Sequence, residues 1–231
     1  RDVTGVQTCA LPISKMVLHK MTHSPATHLA LLLLLVAPIA QSGSINITRS
    51  VESVTVEHNG VDLKVMRNQD PTALVDPTWS MTGRNCPPFC VQPLTAAPGV
   101  ATVGIHEVIQ FMQNELTFDE GVIIDARTPD WNERGTIPGS VNIPYTHLNR
   151  AAGGDDDMME EAFEQFGVTR NENGWNFSKA KKLVLWCNGW WCGQSPAAIR
   201  GLLSEGYPAE KLFYFRGGMQ NWKIYGMTVA H

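Results

Sequence analysis

Cys187, which ends a short apolar run, is the residue in this chain best suited to nucleophilic chemistry. Residues Leu183 to Trp186 are continuously apolar, as is typical of a strand covered on both faces of a parallel sheet. Ser195 is a good helix N-cap, Pro196 suits the first helical position, and Gly206 is expected to close the helix. The sequence therefore predicts a strand, a loop and a helix, with the cysteine where the loop begins.

The loop at residues 188–194 is predicted to bind an anion. Because the helix starts at this loop, its free N–H groups and the positive end of its dipole lower the pKa of a nearby cysteine. Cys187 is thus the predicted nucleophile. The predicted substrate-binding residues are Asn188, Gly189, Trp190, Trp191, Gly193, Gln194 and Ser195.

A second cysteine, Cys192, lies in the same loop and has two interpretations. It is either a second catalytic thiol or half of a structural disulfide with Cys187. Closing so small a loop stabilises a protein by only about 2 kcal/mol in the chain-entropy model. Stability alone is therefore a weak reason for the pair, and we retain Cys192 as a predicted catalytic residue.

The N-terminal region predicts export. Residues 16–42 resemble a secretory signal peptide, with basic residues, an apolar run from Leu29 to Ala40 and small residues near the expected cleavage site. About a dozen apolar residues are too few to span a bilayer, which needs roughly 20. Residues 1–15 look like read-through of a sequencing adapter, so we exclude Cys9. We expect a periplasmic or secreted protein with no membrane span in its mature chain.

Composition argues against several other classes of function. The 18 basic and 22 acidic residues give a net charge of -4, which offers no basic surface for nucleic acid. The histidines are isolated and no zinc-type spacing occurs, so we predict neither a metal site nor a cofactor.

Residues 43–100 predict a small β element followed by a connector. Two alternating runs, 51–58 and 61–67, flank Asn59-Gly60, a strong hairpin signal. The connector is rich in proline and contains the sequence CPPFC. Cys86 and Cys90 form either a local disulfide, which an oxidising compartment favours, or a pair that exchanges electrons with the Cys187 loop. The second interpretation requires the connector to lie beside that loop.

Residues 101–231 predict an α/β domain. Apolar residues at helical spacing indicate a helix over 105–116, and strands are expected at 121–125, 140–144, 183–187 and 212–215. Strands that alternate with helices favour a mainly parallel sheet with helices on both faces. The reactive site of such a sheet lies at the carboxyl ends of its strands, which is where Cys187 is expected.

The sequence resembles the rhodanese-like domain family. The resemblance rests on VIIDARTPDWNERGTIPGSVNIP at 122–144, on the strand, cysteine, loop and helix at Cys187, and on FRGGMQNWKIYG at 215–226. It implies a rhodanese-like parallel sheet and a persulfide on Cys187. Asp125 and Arg127 resemble the family's Asp-x-Arg pair and imply a supporting role in organising the fold and the loop.

Departures from the family pattern affect the expected substrate. The loop is longer than in the pattern, lacks arginine and lysine, and contains Cys192. Thiosulfate is therefore an unfavourable substrate. The arginine that clamps phosphate in related phosphatases is replaced by Gly193, which argues against phosphatase chemistry.

These observations predict an exported sulfurtransferase or sulfane-sulfur carrier that uses a Cys187 persulfide. Its expected partners are a small sulfur donor and a thiol acceptor, which includes a thiol of a partner protein. Two alternatives stay open: a thiol-disulfide oxidoreductase that uses Cys187 and Cys192, and a non-catalytic binding module with the same fold.

The export interpretation makes a direct prediction. N-terminal sequencing of the protein from its native cell should give a mature chain that begins near Gln41 or Gly43, recovered outside the cytoplasm. Recovery from the cytoplasm with the 16–42 segment still attached would contradict it.

Overall fold

The computed structural model describes residues 43–172 and 174–231. The segments interpreted as read-through and signal peptide lie outside these residues. The strands are β1 (Ser53–His58), β2 (Val61–Met66), β3 (Ala101–Val103), β4 (Gly121–Asp125), β5 (Ser140–Asn142), β6 (Thr169–Asn171), β7 (Gly174–Asn176), β8 (Lys182–Trp186) and β9 (Leu212–Phe215). The α-helices are α1 (Pro77–Ser80), α2 (Ile105–Phe111), α3 (Pro129–Asn132), α4 (Asp156–Gln165), α5 (Gln194–Ser204) and α6 (Gly218–Ile224).

A five-stranded parallel sheet in the order β3-β9-β8-β4-β5 confirms the predicted α/β fold. The pairing places Asp125, Trp186 and Phe215 side by side at the carboxyl ends of the three central strands. Cys187 follows Trp186 directly, so it leaves the middle of the sheet at that edge. Strand β3 is only three residues long and was not among the predicted strands.

Helices cover both faces of the sheet. In β8, Val184 and Trp186 join one buried cluster, and Leu183 and Leu185 join the other. The first cluster includes buried residues of α2 and α6, and the second includes buried residues of α4 and α5. This alternation explains the continuous apolar run, because successive side chains of a strand point to opposite faces.

The N-terminal hairpin is present and packs on the domain. Asn59 and Gly60 have φ values of 52° and 79°, as a tight hairpin turn requires. Val54, Val56 and Val65 are buried in the cluster that also contains Cys187. The hairpin therefore contributes to the core beneath the cysteine.

Helix α5 begins two residues earlier than predicted. Gly193 occupies the N-cap position, and Ser195 and Pro196 lie inside the first turn. Ser195 is therefore past the N-cap, and its hydroxyl donates a hydrogen bond to the Cys187 sulfur, 3.1 Å away. The loop therefore runs over residues 188–193.

Other boundaries differ from prediction by small amounts. The predicted helix over 105–116 ends as an α-helix at Phe111 and continues as a π-helix over Met112–Leu116. Strand β5 stops at Asn142, because beyond it the backbone N–H of Ile143 and Tyr145 bonds the carbonyls of Asp125 and Ala126 in place of a regular ladder. Within the described ranges, no helix has the length and apolarity needed to cross a bilayer.

Gly201 allows α5 to pack against the chain at residues 148–149. A Cβ at this position would lie 1.9 Å from the Leu148 carbonyl oxygen.

Glycine-to-alanine substitution in a helix ordinarily stabilises it by about 1 kcal/mol. Here we expect Gly201→Ala to lower the free energy of unfolding by about 2 kcal/mol or more, as judged by urea denaturation. Gly83→Ala, which meets open space, is the control, and equal stability of the two variants would contradict this packing.

Candidate active site

The backbone after β8 is held by the start of α6. Cys187 accepts a hydrogen bond at its carbonyl oxygen from the Met219 N–H, at 3.0 Å. A Cβ at position 218 would lie 2.0 Å from the same oxygen, and Gly218 has a φ of 52°. Only glycine fits this approach, which explains the second glycine of the FRGG sequence and fixes where the cysteine loop begins.

The Cys187 thiol is buried yet acidic. Burial by itself raises its pKa, because the thiolate loses its hydration. Hydrogen bonds from the thiol of Cys192, the hydroxyl and N–H of Ser195 and the N–H of Gly189 outweigh burial and lower the pKa to about 7. When protonated, the Cys187 thiol donates to the Cys192 carbonyl oxygen, 3.3 Å away. The loop is thus built to stabilise a negative sulfur.

The pKa of Cys192 shifts in the opposite direction to that of Cys187. Its pKa is raised, chiefly because its thiol donates to Cys187 and secondarily because it is buried. Both thiols are free in the structure. Of the two sulfurs, Cys187 is therefore the one that ionises first, with Cys192 as the thiol that donates to it. This difference suits a nucleophile beside a second thiol.

Asp125 and Arg127 form a fully buried ion pair beneath the loop. The Arg127 guanidinium donates to both carboxylate oxygens of Asp125, at 2.8 and 2.6 Å. It also donates to the Gly135 carbonyl oxygen and, at 3.4 Å, to the side chain of Asn188 in the loop. Thr136 donates to Asp125 at 3.0 Å. The pair thus joins the end of β4 to the Gly135–Thr136 turn and to the loop, and its supporting role stays a prediction.

Gln220 links the loop to α1. Its side-chain oxygen accepts from the Trp191 indole at 2.6 Å, and its amide donates to the Trp79 carbonyl oxygen at 3.0 Å. Its backbone N–H donates to the Asn188 carbonyl oxygen at 2.9 Å. Gln220 is thereby a positioning residue, and its spacing in the sequence carried no signal of that role.

The connector lies against the cysteine loop. Cys86 and Cys90 are joined as a disulfide, and Phe89 between them packs edge-on against Trp191, with ring centroids 5.3 Å apart. The Arg84 guanidinium lies 3.9 Å from the centroid of the same indole ring. Arg84 and Phe89 of the connector thus hold the loop. The sequence did not predict either contact.

Hydrogen bonds to main-chain carbonyl oxygens strengthen the contact between the connector and the loop. The Gln92 N–H donates to the Trp190 carbonyl oxygen at 2.8 Å. Arg216, at the end of β9, donates to the carbonyl oxygens of Gln92 and Pro93 at 2.7 and 3.1 Å. The connector is therefore tied both to the loop and to the sheet. Whether its disulfide exchanges electrons with Cys187 and Cys192 stays a prediction.

A cavity of about 310 Å³ opens beside the pair of cysteines. It is lined by Pro88, Phe89, Trp131, Tyr145, Asn188, Cys192, Gly193 and Gln194. Cys192 is the cysteine that lines it, whereas Cys187 does not line it and is 1 % exposed.

The predicted site residues take different positions around this cavity. Asn188, Gly193 and Gln194 line it, whereas Gly189 and Ser195 face the Cys187 sulfur. Trp191 is buried under the connector and Trp190 is partly exposed. Three aromatic residues from other parts of the chain also line the cavity, Phe89, Trp131 and Tyr145, and the sequence did not predict this. No group of side chains in the described part of the chain is arranged to hold a metal ion.

The family model for the rhodanese-like domain matches residues 107–225, just over half of the chain. The chain belongs to the rhodanese-like domain family. The match includes Asp125, Arg127 and the Cys187 loop. No curated protein matches the sequence.

The chain is also similar to several solved structures. A Bacillus halodurans protein is 16 % identical with a TM-score of 0.41, over 56 % of this chain and 76 % of that one. Thiosulfate sulfurtransferase from Pseudomonas aeruginosa is 22 % identical with a TM-score of 0.39, over 60 % of this chain and 21 % of that one. A human single-domain sulfurtransferase is 20 % identical with a TM-score of 0.34, over 53 % of this chain and 95 % of that one.

The rhodanese-like loop makes a prediction about pH. Alkylation of reduced protein at Cys187 should rise with pH and reach half of its maximum near pH 7, because only the thiolate reacts. Ser195→Ala removes a hydrogen bond to that thiolate and should move the midpoint to higher pH. Ser204→Ala, at the other end of α5, should leave it unchanged. The same midpoint in both variants would refute the role of Ser195.

Proposed function

We propose that this protein is a sulfane-sulfur carrier of the rhodanese-like family, with Cys187 as the sulfur-accepting nucleophile. The observation that supports it most strongly is the set of hydrogen bonds that lowers the pKa of this buried thiol to about 7. A thiolate at this position attacks the outer sulfur of a donor, and the donor leaves as a thiolate. The product is a Cys187 persulfide.

The same donors suit the persulfide. The terminal sulfur of a persulfide carries negative charge when ionised, and backbone N–H groups at the start of a helix stabilise such an anion. The N–H groups of Gly189 and Ser195 already face the Cys187 sulfur. A thiol acceptor then takes the outer sulfur and regenerates the Cys187 thiolate. The chemistry needs no bound cofactor.

The Cys192 thiol supports a second candidate function, a thiol-disulfide oxidoreductase. Its hydrogen bond to Cys187 places the two sulfurs in contact. Attack of Cys192 on the persulfide at the Cys187 Sγ releases hydrosulfide and leaves a Cys187–Cys192 disulfide. The bond between the two persulfide sulfurs breaks and hydrosulfide leaves with its electron pair, so the outer sulfur is reduced, Cys192 is oxidised, and the Cys187 Sγ stays at the disulfide level. In a thiol-disulfide oxidoreductase, the same two cysteines cycle between dithiol and disulfide, and no sulfur donor takes part.

We further propose that the protein works outside the cytoplasm. The signal-like segment at 16–42 favours export, and a disulfide between Cys86 and Cys90 is compatible with an oxidising compartment. A dithiol partner protein that reduces the Cys187–Cys192 disulfide would complete a catalytic cycle there.

Intact mass spectrometry distinguishes the candidates. Protein with free Cys187 and Cys192 thiols is treated with inorganic polysulfide. A carrier gains the mass of one sulfur atom at Cys187, because its thiolate attacks polysulfide. An oxidoreductase instead loses two hydrogen atoms. A binding module keeps its mass, and that result would contradict both catalytic proposals.

Two variants assign the roles of the cysteines. Cys187→Ser should abolish the sulfur adduct, and an undiminished adduct in this variant would move the nucleophile to Cys192. Cys192→Ser should retain the adduct and prolong its lifetime, because the second thiol that resolves it is absent. An unchanged lifetime would remove Cys192 from the mechanism.

A further inference from the structure

The cavity beside the cysteines has walls from four separate parts of the chain. Pro88 and Phe89 come from the connector, and Trp131 comes from α3. Tyr145 follows β5, and the cysteine loop with the start of α5 supplies the rest. Three aromatic rings around about 310 Å³ form an enclosure suited to a small organic group.

None of the residues that line this cavity carries a formal charge. The nearby cations are engaged elsewhere: Arg127 is buried with Asp125, and Arg84 lies on the Trp191 ring. Arg134, which lies 4.8 Å from the centroid of the Trp131 ring, is exposed and does not line the cavity. Negative charge is therefore stabilised at one end only, at the sulfur end, by the loop N–H groups.

We propose that the cavity binds the uncharged organic body of a low-molecular-weight persulfide, with an aromatic or branched alkyl group between Phe89, Trp131 and Tyr145. This inference rests on the proposed function and names the substrate class of the same site. The reacting sulfur of such a donor lies beside Cys192. A charged body, such as a peptide carboxylate or the sulfonate of thiosulfate, would lose hydration there without gaining a partner of opposite charge in the lining.

The transfer step balances without a further reactant. The Cys187 thiolate attacks the outer sulfur of R–S–SH, the bond between the donor's two sulfurs breaks, and RS⁻ leaves with the electron pair of that bond. The product is Cys187–S–SH, with the proton still on the transferred sulfur. Because Cys192 lines the cavity and its thiol donates to the Cys187 sulfur, that hydrogen bond must break as the donor sulfur reaches Cys187.

The test compares the rate of adduct formation on Cys187 from donors with different bodies. Benzyl persulfide carries an aromatic body, glutathione persulfide a charged one, and inorganic polysulfide none. We expect benzyl persulfide to load Cys187 at least about ten-fold faster than glutathione persulfide. Thiosulfate should be slower than either.

Cavity variants test whether the walls cause this preference. Phe89→Ala and Tyr145→Ala should each lower the ratio of the benzyl rate to the polysulfide rate by about ten-fold. Because both rates are measured on the same preparation, the ratio does not depend on the fraction of folded protein. Val91→Ala is the matched control, since Val91 is an exposed apolar residue of the same connector outside the cavity.

Two results would overturn the inference. One is loading by glutathione persulfide or thiosulfate as fast as by benzyl persulfide, and the other is an unchanged ratio in both cavity variants. Failure of the proposed function looks different, because then polysulfide would also leave no sulfur on Cys187. The polysulfide arm therefore separates a wrong substrate class from a wrong reaction.

Discussion

Removing a thiolate from water costs free energy unless hydrogen bonds replace its hydration. The rest of this site holds the groups that provide those hydrogen bonds. Cys187 is almost fully buried, yet hydrogen bonds from Cys192, Ser195 and Gly189 lower its pKa to about 7. These donors belong to a loop and to the first turn of a helix. They stabilise the thiolate only while the loop keeps its shape.

Three independent supports hold that shape. The buried Asp125–Arg127 pair contacts the loop at Asn188, α6 contacts it through Gly218 and Gln220, and the connector covers it at Trp190 and Trp191. Since the hairpin and α1 share a buried cluster with Cys187, the N-terminal elements belong to the same packed unit as the sheet. The connector also supplies one wall of the cavity. Residues outside the matched rhodanese-like region thus line part of the cavity beside the cysteines.

The sequence predicted what depends on local pattern. The apolar run before Cys187 indicated a central strand, Asn59-Gly60 indicated a hairpin turn, and both are present. It erred where a side chain serves a distant partner: Ser195 has the residue type of an N-cap, but its hydroxyl bonds the Cys187 sulfur. The contacts of Arg84, Phe89 and Gln220 with the loop depend on packing between segments far apart in the chain. No local spacing encodes such contacts.

The central claim is that the Cys187 loop holds a persulfide. A crystal structure of the Cys192→Ser variant treated with polysulfide tests it most directly, because that variant lacks the second thiol. The account predicts electron density for one additional sulfur bonded to the Cys187 Sγ and facing the N–H groups of Gly189 and Ser195. The contradicting result is a protein that gains one sulfur atom in solution but carries it on another residue, with Cys187 unmodified in the crystal.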